Sequence, residues 1–355
     1  MTVEVITKQE ITKLLNDWYQ EMRVHHVIKA RKLKEEIDRK INRMEEDRDI
    51  LTYYSLLDFR YKILIEDFKA DFDKPISEQQ TNTFLKYYYH FFKFIYAIEI
   101  GNYSDAKEHY QLAEELLVTI PDEAEKAEFN YRVAIFQYYL SQPVLAIHYA
   151  TKAQEFFFQR EGYEIKMGAC KNLLGTACTV LEQYELAEEY LLEALDIFKE
   201  ANEDSLVIKA RHNLGLMYAD QDLSEVAIRH LIEVYKKNPR IRVTYLLARE
   251  HYKLKKTQKA SIYIEEGLKF CSEEYNHHFL VLKAKNDRLS VEELEGIFLI
   301  AIEYLKKLEM WKDVHIYNEE LANRWYDAGN ELKASSYFRK SYEARQILKK
   351  MGALK

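Results

Sequence analysis

Residues 42–51, with the sequence NRMEEDRDIL, concentrate side chains that could do chemistry. Four carboxylates flank a single guanidinium: Glu45, Glu46, Asp47 and Asp49 around Arg48. The residues that follow, TYYSLLDFRYKILIEDF, are rich in aromatic and branched apolar side chains, so the cluster begins a strongly amphipathic segment. Two interpretations are open, a solvated helix end and a docking surface for a partner protein.

Elsewhere the chain offers little material for a self-contained active site. It has no GxGxxG, GxxxxGK[ST], GxSxG or HExxH motif, and its nine glycines leave little room for a phosphate-binding loop. The cysteines Cys170, Cys178 and Cys271 are odd in number and lack metal-type spacing, which indicates reduced thiols in a cytoplasmic protein. We therefore expect no metal site and no cofactor.

Composition excludes two other classes of protein. A net charge of −7 with a pI near 6.0 argues against a general nucleic-acid binder. No window of 18 residues is continuously apolar, and the N-terminus lacks the pattern of a signal peptide, so we expect no contact with membranes. Only 9 glycines and 4 prolines in 355 residues favour helices over strands joined by tight turns.

Small residues recur at fixed distances along most of the chain. One series consists of Ala106, Ala146, Ala187, Ala227, Ala260 and Ala334. Twelve residues earlier stand Ala134, Gly175, Gly215, Ala248 and Ala322, while Phe94 holds this position in the first unit. Such pairs are typical of the tetratricopeptide repeat, in which two antiparallel helices pack closely. A degenerate sixth unit is expected around Ala301, with Leu289 twelve residues before it.

The N-terminal region has helical periodicity without these small pairs, in segments 8–26, 27–44 and 45–68. The sequence therefore predicts an all-α protein with a three-helix bundle over residues 1–68 and a linker over 69–83. A tetratricopeptide-repeat superhelical solenoid of about six to seven helical hairpins is predicted over 84–355. The concave face of such a solenoid commonly binds extended peptides or partner helices.

A bundle ahead of a tetratricopeptide array, with NRMEEDRDILTYYSLLDFRY at 42–61, resembles the Rap family of bacilli. Segments 85–106 and 122–150 also resemble that family. The resemblance implies a quorum-sensing regulator that binds a response regulator, at its receiver or its DNA-binding domain. It implies inhibition of signalling by dephosphorylation of an aspartyl phosphate, by sequestration, or by both. A short peptide that is secreted and re-imported would bind the solenoid and relieve this inhibition.

The same resemblance implies which residues dock the regulator. We expect this role for Glu46, Asp47, Arg48, Leu51 and Phe59. Phosphatase members carry a glutamine where this chain has Arg48, and an amide offers both a donor and an acceptor to an attacking water. A guanidinium has donors only, so the alternative is a non-catalytic adaptor that sequesters a response regulator or transcription factor. An ordinary surface ion pair of Arg48 with Glu45 is the purely structural interpretation.

Two positions carry the implied peptide site. Asn213, in RHNLGLMY, matches an asparagine that holds the peptide backbone in family members. An aspartate of the preceding repeat, which meets a basic peptide residue, is replaced by Val180 in TACTVLEQY. The peptide preferred here would then lack that basic residue or be held elsewhere. Asn213 as a plain helix-face residue, and a generic tetratricopeptide scaffold unrelated to two-component signalling, are the alternatives.

Overall fold

The computed structural model describes residues 6–68, 82–158 and 160–353, and these ranges contain 17 α-helices. The N-terminal helices are α1 (Lys8–Arg23), α2 (Val27–Lys40) and α3 (Arg48–Leu64), with a short 3₁₀ helix (Ile41–Arg43) between α2 and α3. The all-α prediction is confirmed for the described residues. Of the predicted linker, residues 69–81 lie outside the described part of the chain.

Fourteen further helices follow as seven successive pairs in the described residues. They are α4 (Thr83–Glu99), α5 (Tyr103–Leu117), α6 (Glu123–Tyr139), α7 (Pro143–Phe158), α8 (Glu164–Val180), α9 (Tyr184–Glu200), α10 (Asp204–Asp220), α11 (Ser224–Lys237), α12 (Ile241–Lys253), α13 (Thr257–Phe270), α14 (Glu273–Asn286), α15 (Val291–Lys307), α16 (Trp311–Asp327) and α17 (Glu331–Ala353).

The predicted repeat register is confirmed by burial. Every small residue of the twelve-residue pairs is buried, and so is Phe94. One residue in the left-handed region marks the turn within each pair: Gly101, Ser141, Glu182, Asp222, Lys255, Arg288 and Gly329. Glycine occupies only two of these seven turns, which explains how the chain builds so many hairpins with so few glycines.

The sixth hairpin, α14–α15, corrects one assignment. Leu289 lies after Arg288 in the turn and not on a helix, so the expected pairing of Leu289 with Ala301 is wrong, although a sixth unit is present around Ala301. Leu282 and Leu294, both buried, stand twelve residues apart in its place, and Ala301 follows seven residues after Leu294 on α15. A pattern of small residues does not reveal this hairpin, because leucines occupy the point where its two helices cross.

Close approach of helices explains why some repeat positions are small. A Cβ atom added at Gly267 on α13 would lie 2.1 Å from Cζ of Phe279 on α14. A Cβ atom at Gly215 on α10 would lie 2.7 Å from Leu231 on α11. Any larger side chain at these positions would force the neighbouring helix away.

The chain divides into two compact units, Met1–Glu182 with Asp196–Asn202 and Gln183–Leu195 with Glu203–Lys355. In the first unit, helices α1–α3 share one hydrophobic core with α4–α6, including Trp18, Leu57, Phe91 and Phe129. The predicted domain boundary at 69–83 thus falls inside this unit, and the bundle and the first hairpins form one packing unit in this structure.

Two fully buried carboxylates of α6 join the bundle to these hairpins. Glu125 accepts hydrogen bonds from the hydroxyls of Tyr19 on α1 and Tyr87 on α4, at 2.8 and 3.0 Å. Arg23 of α1 donates to the same carboxylate at 3.2 Å. Burial raises the pKa of Glu125 to about 7, against the opposing effects of Arg23 and the tyrosines.

One turn later on α6, Glu128 forms ion pairs with three cationic side chains. Its partners are Lys166 of α8 at 2.6 Å, Arg132 of α6 at 2.9 Å and Arg60 of α3 at 3.7 Å. Burial alone would raise the pKa of this carboxyl, but Lys166, Arg132 and Arg60 together lower it to about 2. Burial also lowers the pKa of Lys166 to about 8. The ion cluster therefore fixes α3 and α8 against α6 through paired, desolvated charges.

Candidate functional site

The acidic tip, defined here as residues 45–49, is built around the start of α3. Asp47 is the N-cap: its Oδ1 accepts hydrogen bonds from the backbone N–H groups of Asp49 and Ile50, both at 3.1 Å. Arg48 is the first residue of the helix. Glu45 and Glu46 precede the helix, so only part of the cluster expected on one helix is helical.

Lys8, a residue that sequence reasoning missed, holds the tip from α1. Its Nζ lies 3.1 Å from Oδ2 of Asp47 and 3.9 Å from a carboxylate oxygen of Glu45. Hydrogen bonds from the Ile50 backbone and from Lys8 lower the pKa of Asp47, and its hydrogen bond to Asp47 raises the pKa of Lys8. Asp47 thus caps α3 with one oxygen and binds α1 with the other.

Arg48 is exposed on this structure, and helix capping does not explain it. Asp47 and Asp49 suit the positive end of the α3 dipole, whereas a cation at that end is not stabilised by it. The exposed or half-buried residues Thr52 and Ser55 follow on the same helix, where their hydroxyls donate to the carbonyls of Arg48 and Leu51. Arg48, Thr52 and Ser55 therefore form an accessible stripe along α3.

The two apolar residues expected in the docking surface are placed differently from each other. Leu51 is half-buried at the edge of the hydrophobic core. Phe59 is only 3% exposed, and its ring centroid lies 5.3 Å from that of Tyr96 on α4. Phe59 therefore packs on the buried side of α3, against α4, and is not part of the accessible stripe in this structure.

Asn82, the N-cap of α4, contacts the tip from the other side. Its Nδ2 donates to Oδ2 of Asp49 at 3.1 Å, and its Oδ1 accepts from the backbone N–H of Phe84 at 3.1 Å. An asparagine ahead of TFLKYYYHFF is a recognisable N-cap signal, but nothing in the sequence indicates its second contact.

The two residues of the expected peptide site fall in different compact units. Val180, the last residue of α8, is 55% exposed in the first unit. Asn213 is half-buried on α10 in the second unit, beside the buried residues Leu214 and Gly215. Burial, together with Arg242 and Arg240, lowers the pKa of the adjacent His212 to about 4. The imidazole that precedes Asn213 in the sequence is therefore neutral at ordinary pH.

Other chemistry has few candidates in the part of the chain that the structure describes. Within residues 6–68, 82–158 and 160–353, no group of three or more histidine, cysteine or carboxylate residues is placed to hold a metal ion. The helices of the same ranges include none that is long and apolar enough to cross a membrane. The cysteines are free, and burial raises the pKa of the Cys170 thiol, which disfavours a reactive thiolate.

Known protein families match the N-terminal helices and part of the repeats. A family model described as response regulator aspartate phosphatase H, N terminal, matches residues 5–66, and a tetratricopeptide-repeat model matches residues 169–239. Response regulator aspartate phosphatase I of Bacillus subtilis (strain 168) is 31% identical to this chain over 368 residues. That match covers 96% of this chain and 92% of the relative.

Solved structures agree with these matches. The apo form of RapI has a TM-score of 0.67 and 29% sequence identity, covering 96% of this chain and 98% of its own. A Rap protein complexed with competence and sporulation factor has a TM-score of 0.77 and covers 97% of this chain and 99% of its own. Its 23% identity supports similarity of fold only.

Proposed function

We propose that this chain, which belongs to the Rap family, binds a bacterial response regulator through the acidic tip and thereby inhibits its signalling. The observation that carries this proposal is the exposed Arg48 at the start of α3, between two carboxylates that other helices hold. In this arrangement the cation is accessible and its backbone is anchored. Glu46, Asp47 and Leu51 complete the proposed docking surface in the cytoplasm, and Phe59 supports it from the core.

Arg48 suits binding better than hydrolysis. Its guanidinium can pair with carboxylates or with phosphoryl oxygens of a receiver domain through charge-assisted hydrogen bonds. It cannot accept a hydrogen bond from an attacking water, as an amide does. We therefore propose that sequestration dominates, at the receiver or at the DNA-binding domain, and that phosphatase activity is weak or lacking.

The first prediction tests Arg48 by two substitutions. Arg48→Gln supplies an acceptor to the attacking water, so phosphate release from a phosphorylated receiver domain should rise above that of the wild type. Arg48→Ala should weaken receiver binding by about tenfold, because a charge in a docking surface contributes about 1 to 2 kcal/mol. Phosphate release and binding would be measured with purified protein and a panel of phosphorylated receiver domains.

Arg339→Ala is the matched control, because Arg339 is an exposed arginine on α17 in the second unit. It should leave both measurements unchanged. If the natural protein releases phosphate rapidly and Arg48→Gln slows the release, Arg48 stabilises phosphoryl charge as an arginine finger does, and the proposal of sequestration fails.

A short peptide is the second proposed partner. We infer from family membership that it binds the tetratricopeptide repeats and releases the regulator. Asn213 is the proposed backbone contact, since a half-buried amide can donate to and accept from a peptide group at once.

A further inference from the structure

Two histidines of the first hairpin face each other through their ring nitrogens. His90 lies on α4 and His109 on α5, and their Nδ1 atoms are 3.0 Å apart. Both residues are half-buried. The turn of the hairpin brings them together from positions 19 residues apart in the sequence. The expectation of no metal site rests on motifs and spacing along the chain, which do not reveal a pair of this kind.

The distance between the two Nδ1 atoms suits two ligands of one metal ion. A bond from a metal ion to a histidine nitrogen is about 2.0 to 2.1 Å long. Two such nitrogens on one ion are therefore about 2.9 Å apart at a right angle and about 3.3 Å apart at a tetrahedral angle. The observed 3.0 Å lies within this range. Small rotations of the two imidazole rings would direct both lone pairs at a shared ion.

Both rings are neutral at ordinary pH, so a lone pair is available on each. Burial lowers the pKa of His90 to about 4 and also lowers the pKa of His109. In the hydrogen-bonded pair, one Nδ1 carries the proton and the other accepts it. On metal binding that proton leaves Nδ1, and Nε2 of the same ring takes up a proton from water. The pair thus exchanges one hydrogen bond for two metal bonds without a change in its own charge.

The surroundings of the pair are compatible with a bound cation. Two lysines of α4 and two carboxylates of α5 act on the histidines, and their charges cancel: Lys86, Lys93, Asp105 and Glu108. The ring of Tyr89 lies 5.1 Å from that of His90 and 6.0 Å from that of His109. Packing against this ring restricts both imidazoles, which favours ligand side chains that are already in place before the ion binds.

We propose that His90 and His109 form a binding site for a divalent transition-metal ion such as Cu²⁺ or Zn²⁺. Imidazole nitrogens suit both ions, and Cu²⁺ binds most tightly among the divalent first-row metals. Among the residues that the structure describes, no group of three or more histidine, cysteine or carboxylate side chains is placed to hold a metal. Water therefore completes the coordination, and the ion links α4 to α5. This inference is independent of regulator docking and of peptide binding.

His90→Asn and His109→Asn test the two ligands one at a time. An asparagine amide can donate to or accept from the remaining imidazole, so each variant can keep a hydrogen bond while it loses one ring nitrogen. His148→Asn is the matched control, because His148 is an exposed histidine on α7. The full chain is used without a histidine tag, since a tag would bind the same ions.

The metal ions alone are the probes. Calorimetric titration with Zn²⁺ should show affinity at least about tenfold lower in either variant than in the wild type, a loss of about 1.4 kcal/mol. The affinity of His148→Asn should equal that of the wild type. With one equivalent of Cu²⁺, electron paramagnetic resonance should show two imidazole nitrogens in the wild type and one in each variant. Circular dichroism melts without metal would establish that the variants are folded.

Several results would overturn the site. One is equal Zn²⁺ affinity in the wild type and in both variants, and another is an equal loss in His148→Asn. A loss in only one of the two variants would assign the ion to that histidine and to residues outside the pair. A wild-type Cu²⁺ spectrum with a single imidazole nitrogen overturns the site without reference to any variant. None of these measurements involves a receiver domain, so they leave the proposed function to its own test.

Discussion

At the scale of single residues, glutamates that look equivalent in the sequence differ in whether the fold buries them. The stretch DEAEKAEF contains Glu123, Glu125 and Glu128, of which the first is exposed and the other two are buried. Their partners come from positions up to 106 residues away in the sequence, as in the Tyr19–Glu125 hydrogen bond. Local patterns predict that such glutamates face water, so this part of the core could not be predicted from the sequence.

Glu128→Gln should destabilise the protein by about 3 to 5 kcal/mol, because it leaves Lys166 and Arg60 buried with a neutral partner. The loss should shrink as the pH falls from about 4.5 towards 2. The folded-state pKa of Glu128 is lowered to about 2, so its stabilising ionised form is lost over that range. Urea unfolding of both proteins at several pH values would measure this. Glu123→Gln, on the exposed face of the same helix, should stay within about 0.5 kcal/mol of the wild type.

At the scale of elements, the repeat register could be predicted because helix crossing is a steric requirement. Ala134 and Ala146, or Gly215 and Ala227, are small where two helices approach closely, and the sequence displays this directly. The sixth hairpin could not be predicted in the same way, since the large side chains of Leu282 and Leu294 occupy the point where its helices cross. The hydrogen bond from Asn82 to Asp49, between the starts of α4 and α3, could not be predicted either, because a side-chain contact between exposed residues leaves no periodic pattern in the sequence.

Ala227→Leu should overpack the α10–α11 crossing and destabilise the protein by about 1 to 3 kcal/mol. Ala227 is fully buried, and its carbonyl oxygen lies 3.5 Å from a Cβ built at Gly215. Arg229→Leu is the control, since it adds the same side chain at an exposed position of α11. Thermal melts would compare both with the wild type. An unaltered melting temperature in Ala227→Leu would show that the register of this hairpin is wrong.

At the scale of the whole molecule, two binding events must be thermodynamically linked if a peptide releases the regulator. A peptide that weakens receiver binding by some factor must itself bind more weakly, by the same factor, when the receiver is bound. The acidic tip belongs to the first compact unit and Asn213 to the second. Substitutions in the acidic tip and at Asn213 can therefore be tested in two ways. Each should change the affinity for one ligand, receiver or peptide, and either can change the factor by which one ligand weakens the other.

The final prediction uses Asn213→Ala and a peptide found by screening synthetic penta- and hexapeptides for a thermal shift of the wild type. Loss of one hydrogen bond to a buried peptide group should weaken that peptide by about 1 to 3 kcal/mol. Receiver affinity without peptide should stay at the wild-type value, because Asn213 lies on α10 and not on the acidic tip. Arg48→Ala should show the reverse pattern, with receiver binding weakened and peptide binding unaffected.

Calorimetry of each ligand alone and in the presence of the other would measure both affinities and the coupling between them. Equal peptide affinity in Asn213→Ala and the wild type would remove Asn213 from the site, and zero coupling would show that the peptide does not control the docking of the regulator.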